Sequence, residues 1–136
     1  MFDRYYESNL GHQGAKFKDI KSRQEMISYL LNLELNEMRL PPSDLVFYLS
    51  LPLNYLLAAK TKDSTRTGVK DLHEDDADHL KAAKETYDML ATQLGWTTID
   101  CYNVTFKDRY PKEVIQSKVL VEALGYLHSN YLAKTV

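Results

Sequence analysis

Apolar residues follow two rhythms along this chain, a three-to-four-residue spacing and a continuous run, and the alternation between them predicts its elements. Ile27, Leu30, Leu31, Leu35 and Met38 form one stripe of an amphipathic helix. Ser22-Arg-Gln-Glu25 precedes the stripe as a capping box, and Pro41 and Pro42 end it. Asp44 to Leu51 is then apolar and aromatic without polar alternation, the pattern of a strand covered on both faces and therefore of a parallel, central one. Pro52 suits the first turn of a helix through Leu53, Leu56 and Leu57. Lys60 to Lys70 has no apolar periodicity and predicts a mobile loop. Helical spacing returns from Asp71 to Leu94, with Gly95 placed to end the helix in a left-handed conformation. Thr97 to Cys101 predicts a second short strand, and Pro111 to Leu132 a last helix.

The predicted order is helix, strand, helix, loop, helix, strand, helix, which implies an α/β fold with parallel strands and flanking helices. Two strands make a narrow sheet for such a fold, because strand edges stay open and helices lack a surface to cover. The 136 residues are therefore expected to be the C-terminal part of a single larger domain.

Composition narrows the function classes. The chain is 44% apolar and 26% charged, an ordinary globular balance, and its net charge of −2 points to no nucleic acid partner. No apolar run is long enough to span a bilayer and no signal peptide is visible at the N-terminus, so a cytoplasmic location and no membrane partner are expected. The single cysteine, Cys101, excludes an intrachain disulfide and paired-cysteine zinc sites. His73-Glu74 has no second histidine at zincin spacing, and Asp75-Asp76-Ala-Asp78 lacks the glycine and glutamate of a calcium loop, so no metal ligand is assigned. None of the five glycines stands in a phosphate-cradling motif.

The densest polar constellation runs from Asp3 to Ala15. Arg4 can grip a phosphate bidentately, Ser8, Asn9 and Gln13 can read a base edge, and Tyr5, Tyr6 or His12 can stack on one. A surface loop with caps and an ion pair accounts for the same residues.

Asp3-Arg-Tyr-Tyr-Glu-Ser-Asn-Leu-Gly-His-Gln-Gly14 resembles the segment that follows the third strand of thymidylate kinases. Leu40-Pro-Pro-Ser-Asp-Leu-Val-Phe-Tyr-Leu49 is similar to a later strand of that family, and Lys70-Asp-Leu-His-Glu-Asp-Asp-Ala-Asp-His-Leu80 to the segment after its phosphate-closing lid. Order and spacing agree from Asp3 to about Cys101. The resemblance implies a partial P-loop NTPase-like fold of the nucleoside monophosphate kinase type. It also implies phosphoryl transfer from ATP, with Mg2+, to thymidine monophosphate (dTMP). On that likeness Arg4 would hold the dTMP phosphate with Asp3 beside it, Ser8 and Asn9 would line the thymine, Gln13 would bond its edge, and Tyr5 and His12 would pack near base or sugar. Asp71, His73 and Glu74 would lie near the deoxyribose, Arg66 would be the catalytic arginine of a lid at about 60–71, and Tyr102 and Asn103 would border the adenine.

The family's glycine-rich phosphate loop has no counterpart here, so the chain is expected to be catalytically incomplete by itself. A homodimer, or pairing with a missing N-terminal half, is the expected assembly. A non-catalytic nucleotide- or partner-binding protein and a related deoxynucleoside or nucleotide kinase are the alternatives.

Overall fold

Asp19 opens the first long helix, three residues ahead of the capping box that the sequence suggests. Its carboxylate accepts the Ser22 backbone N–H at 2.8 Å, and that bond holds its pKa below the ordinary carboxylate value. The computed structural model describes residues 4–67 and 74–132, with side chains for 4–61 and 77–132. In chain order these form α1 (Tyr6–Gly14), α2 (Ile20–Leu31), a π-helical segment (Asn32–Glu37), β1 (Phe47–Ser50), α3 (Leu53–Thr67) and α4 (Glu74–Gln93). There follow β2 (Thr97–Asp100), a small hairpin of β3 (Tyr102–Asn103) and β4 (Asp108–Arg109), then α5 (Lys112–Leu127) and a second π segment (His128–Leu132).

β1 and β2 pair in parallel, from Phe47 opposite Thr97 to Ser50 opposite Asp100, as the continuous apolar run of β1 predicts. α3 and α4 form the helical crossover between them. α4 ends as expected: Gly95 has φ +66°, and the Trp96 N–H reaches back to the Ala91 carbonyl at 2.9 Å, the six-to-one bond of a Schellman motif.

Several sequence expectations are corrected. The polar run from Lys60 is no loop as far as Thr67, because α3 continues through it; residues 68–70 lie outside the described residues. Helical propensity in this lysine- and threonine-bearing stretch needs no apolar stripe when the helix is already nucleated from Leu53 and packs on α4. The stripe of α2 breaks at Asn32, where the backbone widens into π turns and ends on Arg39 at φ +54°. That rotation leaves Met38 58% exposed instead of inward. β1 is not covered on both faces, since Leu49 is 53% exposed. The last helix stops at Leu127 and continues as π turns.

The core lies among helices. Leu10, Ile27, Leu30 and Leu90, from α1, α2 and α4, are buried together, with Tyr6, Met26, Leu31, Met89 and Trp96 packed around them. Burying each such side chain contributes on the order of 2 kcal/mol. The sheet adds Ile99 and Cys101. α5 rests against β2 yet has no buried residue, and Leu120, Leu124, Leu127 and Tyr131 all stay about half exposed.

Candidate functional site

The Asp3 to Ala15 constellation is a helix from Tyr6 onward, not a loop. Tyr5 enters it in extended conformation, and Glu7 stands in its first turn, where the helix dipole favours a carboxylate. Glu7, Leu10, Gly11 and Gly14 form the inward stripe. Both glycines permit close approach. A Cβ at position 11 would lie 2.2 Å from the Tyr87 ring, and one at position 14 would lie 2.9 Å from Thr86 Cγ2. Ser8, Asn9, His12 and Gln13 fall on the opposite, polar side of the same helix, in two i,i+4 rows.

Tyr87, on α4, ties that helix to the sheet. Its hydroxyl donates to the Ser8 carbonyl at 3.0 Å, and the His12 ring meets it edge-on at 5.8 Å between centroids. On its other side the ring stacks on Tyr48 of β1 at 5.8 Å and 17°. Tyr48 in turn donates to Asp88 Oδ1 at 3.0 Å, and Lys84 Nζ bonds both oxygens of Asp88 at 2.5 and 2.6 Å. Burial, reinforced by the negative charge of Asp88, pushes the Tyr48 phenol well above its ordinary pKa. The result is a continuous polar and aromatic cluster of Ser8, His12, Tyr87, Tyr48, Asp88 and Lys84.

Other expected residues are engaged elsewhere. Arg4 lies exposed in a bend before α1. Tyr5 Oη donates to the Pro41 carbonyl at 3.3 Å, and Asn9 Nδ2 donates to Glu34 Oε1 of the π segment at 3.3 Å. Ser43 Oγ donates to the buried Glu7 carboxylate. Ser43 precedes β1, so this contact puts the first turn of α1 at the amino end of the strand. A cleft of about 320 Å³ bordered by Tyr6, Glu7, Val46 and Trp96 lies at that same end. Open α/β sheets receive ligands at the carboxyl ends of their strands.

Tyr102 and Asn103 follow β2 after Cys101 and form β3 of the hairpin. The Asn103 side-chain oxygen accepts the Thr105 and Phe106 backbone N–H groups at 3.0 and 3.2 Å, so it closes the turn. Tyr102 meets the Tyr55 ring, and Tyr55 Oη donates to Asp108 at 2.7 Å. Asp3, Asp71 and His73 lie outside the described residues, as do the side chains of Arg66 and Glu74.

An open groove of about 440 Å³ separates β2 from α5, between Thr98, Asp100, Val114 and Val121. Lys118 crosses it, donating to the Asp100 carbonyl at 2.8 Å and lying 4.0 Å over the Tyr110 ring. Cys101, directly after β2, is buried, and burial raises its thiol pKa, which makes it a poor nucleophile.

Among the described residues no group of three acidic, histidine or cysteine side chains gathers to hold a metal. Among the described residues Asn103 is committed to its turn, and the sequence holds no glycine-rich loop of the kind that seats the phosphates of magnesium–ATP. Among the described residues no helix is long and apolar enough to cross a membrane. Comparison with protein-family models, curated proteins and solved structures yields no match.

Tyr87, Tyr48, Lys84 and Asp88 are absent from the sequence-level candidates. Only the i,i+4 spacing of Lys84 and Asp88 could have drawn attention to a pair. Tyr48 reads as an ordinary member of the run from Asp44 to Leu51, and Tyr87 as one of the helical stretch from Asp71 to Leu94.

Proposed function

We propose that this chain carries the dTMP-binding side of a thymidylate kinase-like protein and does not transfer phosphate by itself. One observation carries the reading: two of the three stretches that give the chain its likeness to that family meet around one side chain, which stands on the helix that holds the third. α1 holds the Ser8 to Gln13 motif, β1 the motif ending at Leu49, and α4 continues from the third motif to Tyr87, which touches Ser8, Gly11, His12 and Tyr48. The polar face of α1 then offers His12 and Gln13 to a pyrimidine, with Arg4 the phosphate ligand. ATP and Mg2+ would enter through a glycine-rich loop that these 136 residues do not hold.

Titration calorimetry of the pure chain with dTMP, dGMP and AMP tests this. Binding of dTMP at least tenfold tighter than of the purine nucleotides is expected, weakened severalfold in Gln13→Ala. No binding of dTMP, or equal binding of all three, overturns the reading; preference for a purine favours a related nucleotide kinase. Turnover of dTMP with ATP and Mg2+ in a coupled assay overturns the incompleteness.

A second reading, a non-catalytic protein that binds a partner chain, draws on the half-exposed row of Leu120, Leu124 and Leu127 along α5 and Tyr131 in the π segment after it. Light scattering that finds only monomer at high concentration, together with dTMP binding, decides against it.

A further inference from the structure

Tyr87 lies outside every motif that likens the chain to a family, yet it makes four separate contacts with the helix and strand that carry two of them. Its hydroxyl holds the Ser8 carbonyl, the hydroxyl-bearing end of its ring lies against Gly11, His12 meets the ring at right angles, and Tyr48 stacks on it. We infer that Tyr87 is the positioning residue of the candidate site, setting the height and rotation of α1 so that Ser8, His12 and Gln13 face a pyrimidine ligand; this rests on the dTMP reading above.

The physical case is one of constraint. α1 has no side-chain cap at its start and carries two glycines, so by itself a nine-residue helix of this kind is marginal. Tertiary contacts must hold it. Leu10 supplies apolar burial, which is non-directional and would tolerate a slide or rotation. Ser43 and Glu34 bond the side chains of Glu7 and Asn9, whereas the Tyr87 hydroxyl reaches the α1 backbone itself, and a hydrogen bond at 3.0 Å fixes both separation and angle at the Ser8 carbonyl. The ring fixes the approach: any side chain at position 11 would collide with it, so the helix can settle there only on its glycine. Tyr48 backs the ring, and Asp88 and Lys84 anchor Tyr48, so the wedge is itself held from behind. Tyr87 touches no expected ligand atom and acts through α1.

The test compares the full chain with Tyr87→Phe and Tyr87→Leu by amide hydrogen exchange, by the His12 ring-proton resonances, and by dTMP titration. Loss of the hydroxyl alone should raise exchange of the Leu10 to Gly14 amides about fivefold while leaving α2 and β2 unchanged. The ring-current displacement of the His12 protons should persist in Tyr87→Phe and vanish in Tyr87→Leu. Affinity for dTMP should fall severalfold in Tyr87→Phe. Exchange unchanged in α1, or raised equally in α1, α2 and β2, overturns the inference, as does unaltered dTMP affinity in Tyr87→Phe. If Tyr87→Leu does not fold, Tyr87→Phe decides alone. If the unaltered chain does not bind dTMP, the functional reading falls, and with it the ligand that Tyr87 is inferred to serve; the exchange measurement then still tells whether Tyr87 holds α1.

Discussion

Gly11 and Tyr87 occupy space that only one side chain can fill: a Cβ on residue 11 would stand 2.2 Å from Tyr87 Cζ, well inside contact distance. In a free helix, Gly→Ala stabilises by about 1 kcal/mol. Here the overlap with a ring that is stacked from behind by Tyr48 reverses the sign. Gly11→Ala is expected to destabilise the chain by about 1–3 kcal/mol, the range for overpacking. Urea denaturation checks it, and Gly125→Ala on α5, where nothing lies within 4 Å, supplies the control that should be neutral or stabilising.

Leu90 is fully buried at the centre of the helical core, against Leu10, Ile27 and Leu30. Leu90→Ala should cost about 2–5 kcal/mol, the burial lost plus the cavity left. By contrast Leu124→Ala, on the half-exposed side of α5, should cost well under 1 kcal/mol. Equal losses at the two positions would place α5 in the core and contradict this packing.

The alkaline limb of the stability curve should depend on Tyr48. Its folded pKa is raised above the ordinary 10.0 by burial and by Asp88, so the folded chain keeps a proton that the unfolded chain releases. That contribution is fully present below pH 10.0 and is lost as pH rises from there through the folded value. Tyr48→Phe should flatten the decline above about pH 10 in thermal melts, leaving a remainder from Tyr6, whose pKa burial also raises. An unchanged alkaline limb in Tyr48→Phe would contradict the assignment.

Cys101 should be slow to react in the folded chain. It is 3% exposed, its pKa is raised by burial, and its Sγ lies 3.4 Å from the Ile99 carbonyl. Labelling by a thiol reagent at pH 8 should be at least roughly tenfold slower in buffer than in denaturing urea. Comparable rates would mean that the β2 end of the sheet opens readily.

Local features carried much of the fold. The proline stop after α2, the end of α4 at Gly95 and the two strand runs each depend on φ preference or apolar content within a few residues, and these are written in the chain itself. The capping box was misplaced because Ser22 is a plausible cap by its spacing to Glu25, whereas Asp19 competes for the Ser22 amide and takes it. α3 outran its expected end because a polar stretch says where no stripe faces a core, not where a helix must stop.

The candidate site divides in the same way. The residue types of α1 were legible from sequence, since Ser8, Asn9, His12 and Gln13 advertise hydrogen-bonding chemistry whatever surrounds them. Their engagement was not. Asn9 turns to Glu34 and Asn103 to its own hairpin, each because a nearer donor or acceptor satisfies it first.

What the sequence determined by itself is the two parallel strands, the presence of α2 to α5 around them and the polar character of α1, all properties of short windows. Tertiary structure alone decided that the core lies among α1, α2 and α4 and that Tyr87 holds Ser8 across 79 positions. Such a contact depends on chain segments that share no local pattern. Its partners are chosen by shape, by a glycine that leaves room for a ring and a carbonyl that needs a donor, and that choice exists only once the helices have packed.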